Sequence, residues 1–420
     1  MTRLMLGVST LALVAGVVNA QDADRTGKAV VSSEVTPVSE RMASDHAPLG
    51  VRAGSFLVIP KVDLVETYND NIYATDGNEE SDFVTSIRPE IAVRSNWSRH
   101  AVNAVASANV KRYADNSDEN TEAYTVAADG RLDVLRDTSI GGGVSHARAF
   151  EDRGDPNTIG TPEEPTQFDT TIARIGAYRG LGKMNARVDS EVRMIEFEDG
   201  RSSTGAVLSN AGRDRNEYTQ TARVGYQLSN DFEVFARGSW DNRVYDSKAV
   251  ARSNNGQVYT VGSTFDLTGK TKGEVYVGHM TRSYANSGRA KIDDITYGGR
   301  LTWNATDLTT VIGSINRGIE ETTLAGSDGF VNTNYDLGVE HALTRDVLLK
   351  AGVGYTTNEY EGSAANQRDD DIIVANVGAD YWLNRCLKAG IGYSYSDRDS
   401  NVASGSFARN TVMLRLTATY

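Results

Sequence analysis

The chain ends in Thr411-Val-Met-Leu-Arg-Leu-Thr-Ala-Thr-Tyr420, a stretch in which apolar and polar side chains alternate. Its apolar positions are Val412, Leu414, Leu416, Ala418 and Tyr420. Successive side chains of a β-strand point to opposite faces, so this stretch would present one apolar and one polar face. The period of two therefore predicts a long β-strand that lies between an apolar and an aqueous medium.

The same alternation recurs upstream, from Phe56 onward. In the segment 82–94, Phe83 and Ile91 fall on one face, and Arg88 and Glu90 fall on the other. Comparable stretches of about 12–15 residues follow one another to the C-terminus, longer than the about 9–11 residues with which a strand crosses a bilayer. Two stretches, at 138–151 and 272–285, allow either assignment of faces.

Turn signals divide this repeat into strands. Eight short segments rich in Asn, Asp, Gly and Ser, such as 96–99 and 344–346, alternate with nine longer polar loops. Together they separate 18 strands, and an even number of antiparallel strands leaves both termini on one side. The sequence therefore predicts an all-β fold, a transmembrane antiparallel β-barrel of about 18 strands with both termini periplasmic.

A secreted β-sandwich or β-solenoid is the rival architecture. Strands in globular sheets usually have about 5–6 residues, fewer than these. Aromatic residues also cluster near both ends of the strands, as they do at the two interfaces of a membrane. The turn-side set is Trp97, Tyr226, Phe232, Phe265, Trp303, Trp382 and Tyr420. The loop-side set is Tyr73, Phe83, Tyr113, Tyr124, Phe168, Tyr218, Tyr245, Tyr259, Tyr284 and Tyr360. We therefore favour the membrane barrel, in which the last strand must pair with the first.

The N-terminus has the features of a secretory signal. Arg3 precedes an apolar run from Leu4 to Val18, and Val18-Asn19-Ala20 fits a small-residue cleavage site. The run is shorter than the about 20 residues of a transmembrane helix, and no later segment reaches that length. The predicted parts are a cleavable signal peptide, a flexible periplasmic segment and an outer-membrane β-barrel, at residues 1–20, 21–54 and 55–420.

Composition argues against several classes of function. The chain has 43 Lys and Arg against 56 Asp and Glu, a formal net charge of −13, so we expect no nucleic-acid partner. Cys386 is the single cysteine and the five histidines lack metal-ligand spacing, so we predict no metal and no cofactor. Nucleophilic catalysis needs a nucleophile beside a base, and no recognisable motif supplies one, so we expect no enzyme activity.

The polar faces of the strands would line the lumen. The candidate pore-lining residues are Arg88, Glu90, Arg94, Lys111, Asp129, Arg131, Arg223, Arg237, Arg300, Glu340, Lys350, Asp380, Lys388 and Arg415. Barrels of this size can enclose an aqueous channel unless something fills them. Both signs of charge are present, which fits a general hydrophilic wall of solvated or paired residues. The alternative is an arginine-rich track that guides an acidic solute or an anionic polysaccharide.

The third external loop, 152–167, is long enough to fold inward and narrow the pore. Its candidate constriction residues are Asp152, Asp155, Glu163 and Glu164. The fourth loop, 198–215, is similar in length and competes for this role, and a solvated surface loop is the alternative for the third. Acidic runs in other loops, such as 369–371, could hold calcium but are more typical of soluble loop tips.

Two elements carry a family resemblance. The first strand ends in Tyr68-Asn-Asp-Asn-Ile-Tyr73, and the C-terminal Leu414, Leu416, Ala418 and Tyr420 resemble the assembly signal of outer-membrane proteins, which usually ends in Phe. With these elements, most of 55–420 resembles the proteobacterial putative β-barrel porin type 2 family. The resemblance implies contact with outer-membrane lipids and lipopolysaccharide, recognition by the barrel-assembly machinery, and a part in exopolysaccharide export.

We therefore expect a porin-like channel of the Gram-negative outer membrane that passes hydrophilic solutes, with assistance to exopolysaccharide export as a further role. The alternative is a non-conducting structural or adhesive barrel that presents acidic surface loops. A TonB-dependent transporter does not fit, because the leader before the barrel is too short for a plug domain. Ion conductance in planar bilayers separates the first two hypotheses.

Overall fold

The computed structural model describes residues 35–247, 252–285, 288–324, 326–362, 368–402 and 405–420. The predicted signal peptide and the first part of the predicted periplasmic segment lie outside these residues. The described chain forms a large antiparallel sheet that closes on itself, together with a small two-stranded sheet in one loop.

The wall of this barrel has 18 long strands, as the sequence predicts. A short strand, β1 (Val51–Ala53), pairs with the first of them, and β9 (Gly200–Arg201) and β10 (Val207–Leu208) form the small loop hairpin. The wall strands are β2 (Phe56–Asn69), β3 (Asp82–Ser95), β4 (Ala101–Tyr113), β5 (Thr121–Leu135), β6 (Thr138–Phe150), β7 (Gln167–Leu181), β8 (Met184–Phe197), β11 (Arg215–Ser229), β12 (Phe232–Tyr245), β13 (Asn254–Leu267), β14 (Thr271–Tyr284), β15 (Ile292–Thr306), β16 (Thr309–Glu320), β17 (Ser327–Ala342), β18 (Val347–Gly362), β19 (Asp369–Trp382), β20 (Leu387–Ser400) and β21 (Phe407–Thr419).

The first and last wall strands close the barrel. β2 pairs with β21 from Lys61 opposite Thr419 to Asn69 opposite Thr411. Closure satisfies the main-chain hydrogen bonds of both sheet edges, which hydrocarbon could not do. The pairing expected between the last and first strands is therefore confirmed.

The outer face of the wall is apolar. On β3, Ile87 and Ile91 are exposed, whereas Arg88 points to the opposite face. Exposure of apolar side chains also identifies the outer face of the two strands for which the sequence allowed either face. Val144 is exposed on β6 and Val277 is exposed on β14. An apolar outer face and a polar inner face are what a transmembrane barrel requires.

Short and long connections alternate around the barrel. Eight turns of two to five residues lie at one end, and nine loops of six to 17 residues lie at the other. We call these the turn end and the loop end. The alternation agrees with the predicted pattern of connections.

Several residues of the two predicted aromatic clusters do not face the membrane side of the wall. Trp303 is exposed on the outer face, but Trp382 packs inside the turn end and stacks on His46, with 5.3 Å between ring centroids. At the loop end, Tyr245 and Tyr360 are buried inside the barrel. Their positions in the alternation place them on the inner, polar face, so position near a strand end was an insufficient criterion.

An α-helix, α1 (Val38–Asp45), precedes the barrel. Val38 and Met42 pack on Ala342 and Leu348, which lie on the inner face of the wall at the turn end. A flexible periplasmic segment was predicted over 21–54; its described part contains this helix and β1, and its flexibility and location stay predictions. The helical signal is limited to two apolar residues one turn apart, which is too short a pattern to recognise.

Candidate functional site: the lumen and its loop end

The predicted pore-lining residues stand at inner-face positions of the wall. Strand register brings several side by side: Arg223 lies opposite Arg237, and Glu340 lies opposite Lys350. The residues so placed are Arg88, Glu90, Arg94, Lys111, Asp129, Arg131, Arg223, Arg237, Arg300, Glu340, Lys350, Asp380, Lys388 and Arg415. Their effect on conduction stays a prediction.

Asp380 gathers three cations, from β18, β20 and β21. Its carboxylate lies 2.8 Å from the Lys350 ammonium, 2.6 Å from the Arg415 guanidinium and 3.9 Å from the Lys388 ammonium. Asp380 is buried, and a buried carboxylate needs such partners because removing a charge from water is costly. Asp380 is therefore the shared counter-charge of three cations, and Glu340 lies opposite one of them, Lys350, on the adjacent strand.

A second cluster surrounds Arg223 on the opposite part of the wall. Its guanidinium lies 2.7 Å from Glu233, which also accepts a 2.7 Å hydrogen bond from Asn185. Arg237 lies over the ring of Tyr276, 4.7 Å from its centroid. Glu233 was not among the predicted pore-lining residues, although it shares the alternation of Arg237 on β12 and could have been found by that criterion.

Nearer the loop end, a larger arginine cluster lies on β11 to β14, and sequence analysis missed it. Arg215 is 2.8 Å from Glu217. Asp241 is 3.3 Å from Arg243 and 2.9 Å from Arg282. The side chains of these five residues all lie on the inner face of the wall, and the strand residues next to each of them in the sequence point outward.

Glu321 enters this cluster from the loop between β16 and β17. One of its carboxylate oxygens accepts hydrogen bonds from Arg243 at 2.9 Å and from the side-chain amide of Asn254 at 3.0 Å. The other accepts one from the Tyr245 hydroxyl, also at 3.0 Å. Glu321 is buried. These contacts fold the loop into the lumen against β12 and β13.

The loop 151–166 crosses the loop end from another direction. It leaves the wall between β6 and β7, yet Arg398 of β20 donates a 2.5 Å hydrogen bond to the carbonyl of Gly154. Arg409 of β21 lies 3.4 Å from the carboxylate of Asp152. The loop is therefore tied to strands that lie well away from its own in the ring.

Asn157 joins this loop to the one that carries Glu321. The main-chain N–H of Thr323 donates to the Asn157 side-chain oxygen at 2.9 Å, and its hydroxyl donates to the Asn157 carbonyl at 2.8 Å. The two loops leave the wall eight strands apart in the ring of 18, which is nearly opposite. We call residues 151–166 and 321–324 the mouth bridge.

The four predicted constriction residues have different surroundings. Asp152 and Asp155 lie in the part of the loop that crosses the mouth, whereas Glu163 and Glu164 are exposed. The main-chain N–H of Glu163 donates to the carbonyl of Arg201 at 2.8 Å, which joins the third loop to the fourth. The two loops that competed for the constriction role are therefore in contact, and narrowing of the pore by either stays a prediction.

Asp155 has an unusual protonation equilibrium within the mouth bridge. Burial, and after it the nearby carboxylate of Glu151, raise the pKa of Asp155 to about 6. Its side chain accepts a 2.8 Å hydrogen bond from the main-chain N–H of Asn157. A carboxyl group with a raised pKa therefore contacts the residue that joins the two halves of the bridge.

At the turn end, α1 occupies part of the lumen. The main-chain N–H and the hydroxyl of Ser39 donate to the carboxylate of Glu340 at 2.9 and 2.8 Å. The main-chain N–H of Val38 donates to the hydroxyl of Thr310 at 3.0 Å. Glu340, predicted as a pore-lining residue, therefore holds the helix.

An apolar groove of about 810 Å³ lies on the outer face of β11 to β14, away from the lumen, and its lining includes Val224, Val234, Val261 and Val277. Among the described residues, no helix combines the length and apolar character needed to span a membrane. Within the same ranges, no three His, Cys, Asp or Glu side chains are grouped so that they could hold a metal ion.

Comparison with known proteins gives one family match. A family model described as "Putative beta-barrel porin 2" matches residues 44–420. None of the curated proteins matches the chain.

Solved structures of other barrels resemble the fold at low identity. OccK3 (OpdO) of Pseudomonas aeruginosa shares 11% identity over 86% of this chain and 95% of its own, with a TM-score of 0.45. For a BenF-like porin of Pseudomonas fluorescens, the identity is 9%, the match covers 86% of this chain and 99% of the porin, and the TM-score is 0.47. For the siderophore receptor PirA of Pseudomonas aeruginosa, the identity is 10%, the match covers 86% of this chain and 80% of the receptor, and the TM-score is 0.45.

Proposed function

Because the chain belongs to the "Putative beta-barrel porin 2" family, we propose that it is an outer-membrane channel through which small hydrophilic solutes pass. The observation that carries this proposal is the closed wall with an apolar outside and a charged inside. Clusters such as those around Asp380 and Arg223 would keep the lumen hydrated, since ionised groups retain water wherever the space allows it.

The two ends of the barrel favour small solutes over a polymer. The mouth bridge crosses the loop end, and α1 occupies part of the turn end. A polysaccharide chain would have to displace both, whereas a small solute could pass beside them. Assistance to exopolysaccharide export, which the resemblance implies, is therefore a second proposal that requires opening of the bridge.

The arginine clusters favour anions as cargo. Asp380 lies among three cations, and Arg223 and Arg237 face each other on adjacent strands, each beside a glutamate, Glu233 and Glu274 respectively. Where cations outnumber carboxylates along a narrow aqueous path, the fixed charge raises the local concentration of anions. We expect reversal potentials in a salt gradient to show anion preference, and clear cation preference at neutral pH would remove the arginine-track proposal.

Planar-bilayer recording tests the channel function. The full mature protein should give stable unitary currents, and deletion of residues 154–165 should raise the unitary conductance because it removes half of the bridge. Deletion of the exposed hairpin tip 203–206 is the matched control and should leave conductance unchanged.

Two results would contradict one or other part of the proposal. A folded protein without current would favour the structural or adhesive barrel that presents acidic loops. Currents that do not change on deletion of 154–165 would retain the channel and remove the constriction by this loop. Contact with lipopolysaccharide, recognition of the C-terminal strand by the barrel-assembly machinery, and periplasmic termini are proposals that accompany the outer-membrane assignment.

A further inference from the structure

The side chains that hold Glu321 are positioned by the wall itself. Asp241 lies 2.9 Å from Arg282 and 3.3 Å from Arg243, and so holds both guanidinium groups. Arg282 in turn donates a 2.5 Å hydrogen bond to the side-chain oxygen of Asn254. These contacts link β12, β13 and β14 without the participation of Glu321. The site would therefore persist if the loop moved away.

The donors are arranged for a planar group with two oxygens. Arg243 and Asn254 donate to one oxygen of Glu321 at 2.9 and 3.0 Å, and Tyr245 donates to the other at 3.0 Å. The guanidinium of Arg282 lies 3.8 Å from the first oxygen. Guanidinium groups match the geometry of carboxylates, and the phenol and amide fix its orientation.

Without Glu321 the arginines of this salt-bridged cluster outnumber its wall carboxylates by one. Four arginines form the connected cluster together with three wall carboxylates; they are Arg193, Arg215, Arg243 and Arg282, with Glu191, Glu217 and Asp241. A buried cation without a counter-charge is costly, so departure of Glu321 favours entry of another anion.

The cluster also has unused donors. Nε of Arg282 and Nη2 of Arg215 are buried and have no hydrogen-bond acceptor within the part of the chain that the structure describes. Both side chains are more than nine-tenths buried. Unmatched buried N–H groups of this kind can be satisfied by a ligand that brings more acceptors than one glutamate.

We propose that Arg243, Tyr245, Asn254 and Arg282 form a binding site for the carboxylate of an anionic solute, and that Glu321 occupies this site when no solute is bound. The inference deepens the proposed channel function, because it names the class of solute and the place where it binds. Glu321 acts as an internal competitor: the solute must displace it to bind.

Calorimetric titration of the folded, full-length protein in detergent tests this site. The probe is glucuronate, and glucose is the matched solute without a carboxylate. Glu321→Gln removes the charge of the competitor, so we expect it to bind glucuronate about fivefold or more tightly than the unaltered protein, the lower end of typical coupling between sites. Glu79→Gln, at an exposed loop carboxylate, should bind as the unaltered protein does.

Variants of the donors complete the test. Arg243→Gln combined with Arg282→Gln should abolish glucuronate binding, with heat-modifiable migration on gels as the check that the barrel has folded. If this pair does not fold, Tyr245→Phe removes only one hydroxyl donor and should weaken binding in the Glu321→Gln background. Equal affinity of Glu321→Gln and the unaltered protein, or equal binding of glucose, would overturn the proposal.

The design separates this site from the channel function. Calorimetry does not depend on ion flow, so binding by a protein that conducts no current would overturn the channel and retain the site. Conductance together with no glucuronate binding to Glu321→Gln would overturn the site alone.

Discussion

Charged side chains inside this barrel are mostly arranged as pairs and clusters. Glu233 is fully buried and is held by Arg223 and Asn185. Removing one member of such a pair leaves an uncompensated charge, at a cost of about 3–5 kcal/mol where burial is complete. Most charged groups of the inner wall therefore neutralise one another. In the cluster near the loop end, the arginines that exceed the wall carboxylates are available to bind a solute.

Asp155 gives the lumen a pH response that can be measured. Its pKa is about 6 in the bridge, above the ordinary value of 3.8, so the closed bridge binds this proton more tightly than an open loop does. Protonation therefore stabilises the bridge fully below about pH 4, and this contribution is lost as pH rises through 6. We expect lower unitary conductance at pH 4.5 than at pH 7.5.

Asp155→Asn mimics the protonated state. It should keep conductance low at both pH values, whereas Asp76→Asn, at an exposed loop position, should retain the response of the unaltered protein. Full pH dependence in Asp155→Asn would show that another group controls the bridge.

At the scale of elements, strands and helix are stabilised in different ways. Each wall strand is paired with two neighbouring strands over most of its length, whereas α1 depends on one apolar stripe and a few hydrogen bonds to the wall. Val38 and Met42 supply that stripe. We therefore expect detachment of the helix to disturb the barrel less than loss of any wall strand.

Substitution of both apolar residues should detach the helix. Loss of a buried large apolar side chain costs about 2–5 kcal/mol, and Val38→Asp with Met42→Asp adds buried charge to that loss. We expect higher unitary conductance with unchanged heat-modifiable migration. Glu40→Gln, on the exposed side of the helix, is the matched control. Conductance that stays at the control value would show that α1 does not limit the current.

At the scale of the whole molecule, everything depends on closure between β2 and β21. Leu64 lies opposite Leu416 in this seam, and the main-chain N–H of Tyr420 donates to the carbonyl of Pro60 at 3.1 Å. An open seam would leave unpaired main-chain groups in hydrocarbon, each at a cost of several kcal/mol. A chain that lacks the last strand cannot close the barrel, so we expect such a truncation to prevent folding altogether rather than to weaken it.

Removal of residues 407–420 should abolish folding into the membrane. The predicted readout is loss of the fast-migrating unheated band on gels and loss of protein from the outer-membrane fraction. Tyr420→Phe keeps the aromatic end and should fold normally. A folded, heat-modifiable product from the truncated chain would contradict both the closure and the role of the C-terminal signal.

Most of the wall could be predicted from the chain because its two faces meet different solvents. The alternation at Ile87, Arg88 and Ile91 predicts at once that the stretch is a strand, which side chains point outward, and that the outer side meets lipid. This prediction needs no other signal than the turns that bound the strand. Where alternation was weak, as in β6 and β14, the face was ambiguous. Aromatic position alone misplaced Trp382 and Tyr245 because proximity to a strand end does not say which face a residue occupies.

The amino-acid sequence by itself determined the closed barrel, its 18 strands and its charged inner face, since these follow from local alternation and turn chemistry. Only the tertiary structure decided what lies inside it. The contacts of Glu321 with Arg243, of Asn157 with Thr323, and of α1 with Glu340 join residues far apart in the chain. Closure of the wall brings them within reach, and no local pattern records which loop folds inward.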